Sequence, residues 1–252
     1  MPERNLAPSL TGLVFDIGAT SIKYGHISSD GQLTENLRRR STPYPCSPDR
    51  LIEFIEHRMT TSLADALVIG FPGEVNNGVV VAPGNLARPG GPRSPVDEDL
   101  VTKWRGFDLQ TTLTESLQKK VTVLNDASLA ALGCTKGIGT EFVCTLGTGF
   151  GTAVVVDGGL APFRDVGDEM FDVARTFDQA LGEAARSENQ EAWENDLLVG
   201  ITMFVDELQP RCVHISGGNA KRLSPQLFSN ISVPVHHGPE DAPFRGAARF
   251  LA

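Results

Sequence analysis

The sequence predicts an α/β protein made of two similar lobes that face one cleft. Short apolar runs typical of buried strands alternate with segments in which apolar residues recur at helical spacing. Residues 15–20 and 144–149 each show the same order of strand, glycine turn, strand and hairpin. A chain of 252 residues, 40% of them hydrophobic, can form one large domain or two small ones with a real core. The repeated segment favours two lobes.

The first half of the chain alternates predicted strands with predicted helices. Short, largely apolar runs predict strands over residues 13–16, 66–71 and 121–124. Another strand is predicted near residues 22–27, after the first turn. Helical spacing predicts helices near residues 48–62 and 110–119, and another helix that begins at Asn125 and Asp126. The proline- and glycine-rich segment 83–97 predicts a loop.

The second half repeats this theme. Strands are predicted over residues 142–146, 153–156 and 212–216, and helices near residues 172–186, 190–208 and 243–251. A hairpin turn is predicted at residues 157–159. The helix over 190–208 carries an apolar stripe, which belongs either to the core or to a dimer seam: Trp193, Leu197, Ile201 and Val205.

Composition excludes several classes of protein. The net charge of −9 argues against a duplex-DNA binder, which must neutralise phosphates. No apolar run approaches the roughly 18 residues of a membrane span. Glu3 and Arg4 near the start lead us to expect no secretory signal and a cytoplasmic protein. The cysteines form no CxxC pair, so we expect buried free thiols at Cys46, Cys134, Cys144 and Cys212.

The two glycine turns are candidate phosphate sites. A glycine-rich turn can point several backbone N–H groups at one anion, and threonine hydroxyls add donors. The candidate positions are Gly18, Thr20, Gly147, Thr148, Gly149 and Gly151. Gly-Lys never occurs, which excludes a P-loop, and the second turn is a GxGxG ahead of a strand, which does not support a dinucleotide fold. Each turn alone is also compatible with a plain hairpin.

Two aspartates stand where phosphoryl transfer needs carboxylates. Asp16 ends a predicted strand beside the first turn, where a carboxylate can hold Mg²⁺, usually through water. A turn-capping aspartate is the alternative. Asp126 opens a helix directly after a predicted strand. It is either a first-turn acid that the helix dipole favours or a general base for a substrate hydroxyl, and both roles can hold together.

Six motifs in the right order resemble the ROK family of sugar kinases, and within it the polyphosphate glucokinases. They are VFDIGATSIK (14–23), IGFPG (69–73) with GVV (78–80) and APGNL (82–86), WRGFDL (104–109), VLNDASLAALG (123–133), TLGTGFGT (145–152) and ISGGNAK (215–221). The family belongs to the superfamily of actin, hexokinase and the Hsp70 ATPase. The resemblance therefore implies two duplicated, ribonuclease H-like lobes around a central cleft, over residues 1–122 and 123–242. We expect the final helix, 243–252, to pack back on the first lobe.

The resemblance also implies roles for individual residues. It makes Asp126 the catalytic base of a phosphotransferase with an alcohol acceptor, and Asn85 and Asn125 ligands of the sugar hydroxyls, with Gly73 in the sugar loop. It implies Mg²⁺ at Asp16. The donor, ATP or inorganic polyphosphate or both, is implied to lie at Asp16, Gly18, Thr20, Lys23, Gly147, Thr148, Gly149 and Gly151. Gly217 and Gly218 are implied to lie near the nucleotide or the far phosphates.

The sugar site departs from the family pattern. Many members follow the second hairpin with Glu-x-Gly-His, whose Glu and His bind sugar hydroxyls, and here the stretch is Asp165-Val-Gly-Asp168. We expect Asp165 and Asp168 at the sugar, which is a hexose such as glucose, or another sugar or polyol. A catalytically degenerate sugar- or nucleotide-binding protein is the other alternative. The family's cysteine-rich zinc motif is absent, so no structural zinc is expected, and the resemblance implies a homodimer.

Overall fold

The computed structural model describes residues 11–162 and 165–251 of the chain. The chain forms two compact units: the first runs to Leu124 and resumes at Ala247, and the second is Asn125–Gly246. The predicted boundaries, after residues 122 and 242, lie a few residues earlier. Glu3 and Arg4, on which the expectation of no secretory signal rests, lie outside the described residues.

The first unit is built on a five-stranded sheet. Its strands are β1 (Gly12–Ile17), β2 (Ser21–Ile27), β3 (Arg38–Ser41), β4 (Ala66–Phe71) and β7 (Lys120–Asn125). They lie in the order β3-β2-β1-β4-β7, with β2 antiparallel to β1 and β3, and β1 parallel to β4. A separate hairpin pairs β5 (Glu74–Asn76) with β6 (Val79–Ala82). The helices of this unit are α1 (Pro48–Met59), α2 (Glu98–Trp104) and α3 (Leu109–Leu117).

The core of the first unit follows from the two periodicities of its elements. Alternate residues of β1, such as Phe15 and Ile17, share one buried cluster with Leu51 and Ile55, which lie one helical turn apart on α1. The indole N–H of the buried Trp104, in the same cluster, donates to a backbone carbonyl oxygen at 2.8 Å. Burial of this apolar face fixes which side of the sheet the helices cover.

The second unit contains another five-stranded sheet. Its strands are β8 (Thr140–Leu146), β9 (Phe150–Val156), β10 (Gly159–Leu160), β11 (Cys212–Ser216) and β12 (Val235–His237), in the order β10-β9-β8-β11-β12. β9 is antiparallel to β8 and β10, whereas β11 is parallel to β8 and β12. The helices are α4 (Asp126–Cys134), α5 (Phe177–Leu181), α6 (Glu183–Glu188), α7 (Gln190–Leu208) and α8 (Ala242–Ala247).

Both sheets follow one plan. In each sheet the first strand in chain order is central, the second lies antiparallel to it, and the third forms an edge. The fourth strand pairs in parallel on the other side of the first, and the fifth lies beyond it. The strands β1 and β8 are therefore equivalent, and Gly18 and Gly147 each follow directly after one of them. The repeat predicted from the sequence is confirmed.

The apolar stripe on α7 lies in the core of the second unit. Trp193, Leu197, Ile201 and Val205 are each at most 3% exposed and share a cluster with the aromatic residues of the sheet. Burial within a single chain accounts for this stripe without a dimer seam. Over the described parts of the chain, no helix combines the length and the apolar character that crossing a bilayer requires.

Several elements differ from the prediction. The sequence pattern missed β3, β5, β6, β10, β12 and α2. Residues 38–41 read Arg-Arg-Arg-Ser and are all exposed at the edge of the sheet, so no apolar alternation marks them as a strand. The other missed strands are two to four residues long, and α2 has seven residues, which is too short to show a clear helical period.

The predicted helix over 172–186 is wrong at its start and in its middle. The Asp172 side chain accepts the N–H groups of Ala174 and Arg175, which favours a turn there, and Thr176 caps α5 through its hydroxyl. Gly182 then breaks the helix with an extended backbone, φ −80° and ψ 174°. The break separates α5 from α6 and leads the chain back toward β8, as described below.

The end of the chain belongs to both units. Helix α8 packs on α4, where Gly133 and Gly246 bring the two backbones together: a Cβ on either glycine would overlap a carbonyl oxygen of the other helix. The segment from Ala247 onward is counted with the first unit, where Leu251 contacts Gly12. The part of the predicted final helix before Ala247 therefore packs within the second unit.

Substitution of Gly133 by alanine tests this packing. Gly133→Ala is expected to destabilise the protein by about 2–3 kcal/mol, because the added methyl group overlaps the Ala242 carbonyl and forces the helices apart. Glycine to alanine in a helix ordinarily stabilises by about 1 kcal/mol, so the sign of the change identifies the contact. Urea unfolding measures the change in the free energy of unfolding. Gly159→Ala is the control, since its Cβ would meet nothing nearer than 3.6 Å. A Gly133→Ala protein as stable as the wild type would contradict the packing.

Candidate active site

The first glycine turn joins β1 to β2 and leaves two backbone donors unused. The Gly18 N–H donates to the Ser21 carbonyl at 3.0 Å. The N–H groups of Ala19 and Thr20 have no acceptor among the described residues. The carbonyl oxygens of the same turn accept hydrogen bonds from other parts of the protein. In such a turn the carbonyl oxygens are hydrogen-bonded to the protein and the N–H groups are unused. The turn therefore presents the positive ends of peptide dipoles, which can bind an anion.

Two side chains hold the carbonyls of the first turn. Thr42 Oγ1 donates to the Gly18 carbonyl at 2.7 Å, and the Tyr44 hydroxyl donates to the Ala19 carbonyl at 2.7 Å. Burial raises the pKa of Tyr44 well above its ordinary value, so its hydroxyl stays a donor at any physiological pH. Neither residue was predicted from the sequence, because neither lies in a recognisable motif.

Asp16 lies at the end of β1, with its side chain 12% exposed. Its Oδ2 accepts from Lys23 Nζ at 2.8 Å, and no donor to Oδ1 is found in the described part of the chain. Asp16 lies directly opposite Lys23 on β2, and Lys23 lies opposite Arg39 on the edge strand β3. Directly opposed residues share a face of a sheet, so these three form one row of charged groups beside the first turn.

The two predicted residues of the sugar loop lie on either side of the β5–β6 hairpin. Gly73 precedes β5, and a Cβ there would overlap the carbonyl of Ala82. Asn85 lies in a short 3₁₀ turn, Gly84–Ala87, that follows β6. Its side chain is half-buried, and its amide has no hydrogen-bond partner among the described residues. A half-buried amide without a protein partner is suited to bind a hydroxyl-rich ligand.

The second glycine turn joins β8 to β9 and repeats the arrangement of the first. The N–H groups of Thr148 and Gly149 find no acceptor in residues 11–162 and 165–251. The Glu183 N–H donates to the carbonyls of Gly147 and Thr148, at 3.0 and 3.2 Å. The Asn219 amide adds a donor to Gly147 at 3.3 Å. Both turns therefore hold their carbonyls within the protein and leave two N–H donors unused.

The break at Gly182 makes the second turn possible. A Cβ on Gly182 would approach the Thr148 carbonyl to 2.5 Å, so only glycine lets the start of α6 lie against the turn. Glu183, the first residue of α6, brings a negative charge close to the candidate phosphate site. Arg186 pairs with both of its carboxylate oxygens, at 2.6 and 2.8 Å, and this hydrogen bonding lowers the pKa of Glu183 to about 2. The pair offsets the repulsion that an unpaired carboxylate would exert on phosphate.

Asp178 of α5 positions the second turn and was not found from the sequence. Its Oδ1 accepts the Phe150 N–H at 2.7 Å, and its carboxylate fills the space that a side chain on Gly149 would need. Its backbone N–H donates to the Gly167 carbonyl at 2.9 Å. Asp178 thus joins the second glycine turn to the stretch that contains Asp165 and Asp168. An aspartate early in a helix is too common to be singled out by pattern.

The remaining predicted phosphate glycines lie close to the second turn. Gly151 is in β9 opposite Thr145, and a Cβ there would contact the first turn of α4. Gly217 follows β11 with φ +92°, a conformation that favours glycine, and packs on the Leu146 carbonyl. Gly218 faces open space. The Asn219 N–H donates to the same Leu146 carbonyl at 3.0 Å, which fixes this segment beside the turn.

Asn125 and Asp126 form the start of α4. The Asn125 side chain caps the helix by accepting the Ser128 N–H at 3.0 Å, and Asp126 Oδ1 accepts the Ala127 N–H at 2.8 Å. Both side chains are half-buried. The helix cap and the positive end of the helix dipole stabilise a carboxylate at this position. This structural role is compatible with the role of a general base.

Asp165 and Asp168 lie in a turn before α5. Asp165 is exposed and accepts the Gly167 N–H at 3.2 Å. The surrounding protein raises the pKa of Asp165 by desolvation, and the charges of Asp168 and Glu169 add to the increase. Phe163 and Arg164, which precede this turn, lie outside the described residues.

Known proteins share this architecture. The ROK family profile matches residues 13–162. Polyphosphate glucokinase of Mycobacterium tuberculosis (strain ATCC 25618 / H37Rv) is 29% identical over 179 residues, 66% of this chain and 62% of that protein. Polyphosphate glucokinase of Mycobacterium leprae (strain TN) is 32% identical over 165 residues, 62% of this chain and 47% of that protein. The matched part thus spans between about half and two thirds of the length of these curated relatives.

Solved structures agree with the sequence comparison. The inorganic polyphosphate/ATP-glucomannokinase from Arthrobacter sp. strain KM is 26% identical, with a TM-score of 0.76 over 96% of this chain and 98% of that chain. A ROK family glucokinase from Streptomyces griseus, in complex with glucose and AMPPNP, shares the fold at 16% identity and a TM-score of 0.70, over 96% of this chain and 98% of that one. The predicted actin/hexokinase-like α/β fold is therefore confirmed, and because the family profile covers more than half of the residues, the chain belongs to the ROK family.

Proposed function

We propose that this protein is a sugar kinase that transfers a phosphoryl group from inorganic polyphosphate or ATP to a hexose hydroxyl. The observation that carries the proposal is the pair of equivalent glycine turns, each with two unused N–H donors and with carbonyls held elsewhere. One such turn suits one anionic group. Each unit therefore carries its own candidate site for a phosphoryl group. The names of the curated relatives support the same reaction class.

Asp126 is the proposed general base. The acceptor hydroxyl gives its proton to the Asp126 carboxylate as its oxygen attacks the terminal phosphoryl group, and the donor leaves with the bridging oxygen. In this chemistry, positioning and electrostatic stabilisation do most of the catalytic work. The N–H groups of Ala19, Thr20, Thr148 and Gly149 would stabilise the charge on the phosphoryl oxygens. The helix dipole at the start of α4 favours the ionised carboxylate that a base requires.

The residues around Asp16 fit Mg²⁺ held through water. One carboxylate oxygen is engaged by Lys23, and the other has no protein donor in the described chain. A carboxylate with one oxygen available suits a cation that keeps several of its own waters. Bound there, Mg²⁺ would neutralise phosphoryl oxygens. Lys23 would add a fixed positive charge at the same end of β1.

The edge strand β3 favours polyphosphate among the donors. Its residues 38–40 are three exposed arginines, in a protein whose net charge is −9. Arg39 shares a face with Lys23 and lies beside the first turn, with its Nε donating to Ser21 Oγ at 3.0 Å. A linear polyanion is longer than a nucleoside triphosphate and gains from a row of positive charges that leads away from the turn.

The acceptor site is proposed to use Asn85, Asn125, Asp165 and Asp168. Amide and carboxylate side chains can accept and donate hydrogen bonds to ring hydroxyls. The two aspartates, in place of the family's Glu and His, favour an acceptor that differs from the usual hexose in at least one hydroxyl contact. A kinase for another sugar or polyol therefore remains the second candidate. A homodimer is proposed from the resemblance alone, whereas a cytoplasmic location is proposed from the sequence composition.

Replacement of Asp126 by asparagine tests the mechanism. Asp126→Asn is expected to lower kcat by about 10²–10⁴, because the amide cannot accept a proton at neutral pH. A coupled assay with Mg²⁺ measures turnover with ATP or polyphosphate as donor and glucose, mannose, fructose, glucosamine or N-acetylmannosamine as acceptor.

Asp206→Asn, on the exposed face of α7, is the matched control and should keep wild-type activity. An Asp126→Asn protein with most of its activity would contradict the proposed base. A wild-type protein that binds donor or sugar but turns over no pair would favour the binding-only alternative.

Replacement of Arg39 tests the preference for polyphosphate. Arg39→Ala is expected to raise KM for polyphosphate about tenfold, equivalent to about 1.4 kcal/mol, and to change KM for ATP much less. Higher ionic strength should reduce the difference in KM for polyphosphate between Arg39→Ala and the wild type, because salt screens exposed charges. The control is Arg38→Ala on the same strand, since Arg38 lies on the other face opposite Tyr24 and pairs with Glu35 at 3.4 Å. If both variants changed KM for both donors equally, Arg39 would not be part of a polyphosphate-binding surface.

The unused N–H groups of the turns can be observed directly. Inorganic tripolyphosphate is expected to shift the backbone amide resonances of Ala19, Thr20, Thr148 and Gly149 in two-dimensional ¹H–¹⁵N spectra. The Gly139 amide, which donates to Asp157 Oδ1 at 2.8 Å, is the internal control and should not move. If tripolyphosphate shifts other amide resonances but none of the four turn amides, the anion binds elsewhere.

A further inference from the structure

A buried cluster of three chemically active side chains lies outside the candidate active site. Glu141 is in β8, and Cys212 and His214 are in β11; they are 1%, 7% and 3% exposed. β8 and β11 are parallel, and Cys212 lies directly opposite Glu141. The cluster therefore sits at the beginning of these strands, whereas the second glycine turn follows the end of β8. The two places are separated by about five residues of strand, roughly 17 Å.

The distances between the three ligand atoms approach those of one face of a metal-centred tetrahedron. Cys212 Sγ lies 3.5 Å from His214 Nε2 and 3.6 Å from Glu141 Oε2, and Nε2 lies 2.8 Å from Oε2. Zinc bonds of about 2.3 Å to sulfur and about 2.0–2.1 Å to nitrogen and oxygen, at tetrahedral angles, place sulfur about 3.5 Å from either light atom. They place nitrogen and oxygen about 3.3 Å apart. Only the nitrogen–oxygen pair has to open, by about half an ångström, to admit the ion.

The surroundings hold the carboxylate in place. The backbone N–H groups of Lys136, Gly137 and Ile138 donate to Glu141, at 3.1, 2.6 and 3.3 Å. Ligands that are oriented by further hydrogen bonds bind metals more tightly, because less freedom is lost on binding. Three backbone donors thus hold this one carboxylate. They fix one ligand atom before any ion arrives.

A fourth position and an entry path are present beside the cluster. A cavity of about 170 Å³ opens next to it, lined by Lys136, Ile138, Glu141, Arg211, Cys212, Pro234 and His236. The His236 ring lies 5.4 Å from the His214 ring, centroid to centroid, and is exposed on the neighbouring strand β12. Either His236 or water can complete four-coordination. The cavity gives the ion a route from solvent to the three buried atoms.

We propose that Glu141, Cys212 and His214 form a Zn²⁺ site that is separate from phosphoryl transfer. A thiolate, an imidazole and a carboxylate together favour Zn²⁺ over the harder Mg²⁺ and Ca²⁺. Binding replaces the Cys212 thiol proton, which is released to solvent, and neutral His214 binds through Nε2 with its proton on Nδ1. The thiolate and the carboxylate then balance the charge of the ion. The site joins β8 to β11 and stabilises the sheet that carries the second turn.

Sequence spacing gave no sign of this site. Glu141 is 73 residues from His214 in the chain, and the three residues match no zinc-finger or zinc-ribbon spacing. The parallel register of β8 and β11 brings them together. Without an ion, the same atoms form a hydrogen-bonded cluster, so a direct metal measurement must decide between the two states.

The experiment uses Co²⁺ as a spectroscopic substitute for Zn²⁺ on the full chain, stripped of metal with a chelator. The wild type is expected to bind one Co²⁺ with a thiolate-to-cobalt charge-transfer band and the visible bands of tetrahedral cobalt, and Zn²⁺ should bleach both. Zn²⁺ should also raise Tm, because an ion that binds only the folded state stabilises it. Cys212→Ser should abolish the charge-transfer band and weaken binding at least tenfold. His214→Gln should weaken it similarly while the fold is retained by circular dichroism.

Two controls make the outcome decisive. Cys134→Ser alters a half-buried thiol of the same unit outside the cluster and should leave the cobalt spectrum unchanged. A double His236→Ala, His237→Ala variant tests the exposed histidine pair. A wild type with no charge-transfer band would overturn the proposal. So would cobalt binding that survives Cys212→Ser and disappears in the double histidine variant, because the metal would then be held at the surface. None of these readouts depends on kinase activity.

Discussion

The carbonyl oxygens of the two glycine turns are the constraint on which the rest of the candidate site depends. In a tight turn, the carbonyl oxygens repel the anion that the N–H groups attract, so an anion binds only where the carbonyls point away. Here Thr42 and Tyr44 hold the carbonyls of the first turn, and Glu183 and Asn219 hold those of the second. The chemistry of the two sets differs, although the strands around them follow one plan. Side-chain hydroxyls hold the Gly18 and Ala19 carbonyls of the first turn, whereas only N–H groups hold those of the second. The duplicated sheet therefore fixes where the turns lie, and later segments of the chain fix the direction in which the turn carbonyls and N–H groups point.

The break between α5 and α6 is needed to orient the carbonyls of the second turn. An uninterrupted helix over residues 177–188 would carry the Glu183 N–H inside its own hydrogen-bond ladder. The extended backbone at Gly182 frees that N–H for the turn, and the Asp178 carboxylate, one helical turn earlier, holds the Phe150 N–H. Two short helices thus serve as donors and acceptors for the turn in addition to packing on the sheet. The ion pair between Glu183 and Arg186 keeps this arrangement compatible with an anionic ligand.

Much of this could be predicted from the sequence, because burial and glycine leave strong patterns. The buried strands β1, β4, β8 and β11 and the helices α1 and α7 follow apolar runs or helical spacing, and the duplicated turn is visible from its residues alone. The exposed strand β3 could not be found in this way, since three arginines in succession carry no apolar alternation. Asp178, Tyr44 and the Glu141 cluster could not be found either. Their roles depend on pairs of residues that are distant in sequence and meet only through the register of the sheets.

The unused N–H groups of the turns belong to the main chain, and this has a consequence for how the protein tolerates change. An alanine scan would pass over Ala19 and Thr148, because replacing a side chain leaves the peptide N–H where it was. Proline removes the N–H itself. An amide-to-ester replacement would do so with little change of shape. Variation among relatives at these positions therefore says little about whether the anion is bound. The informative positions are the more distant residues whose side chains and N–H groups bind the turn carbonyls.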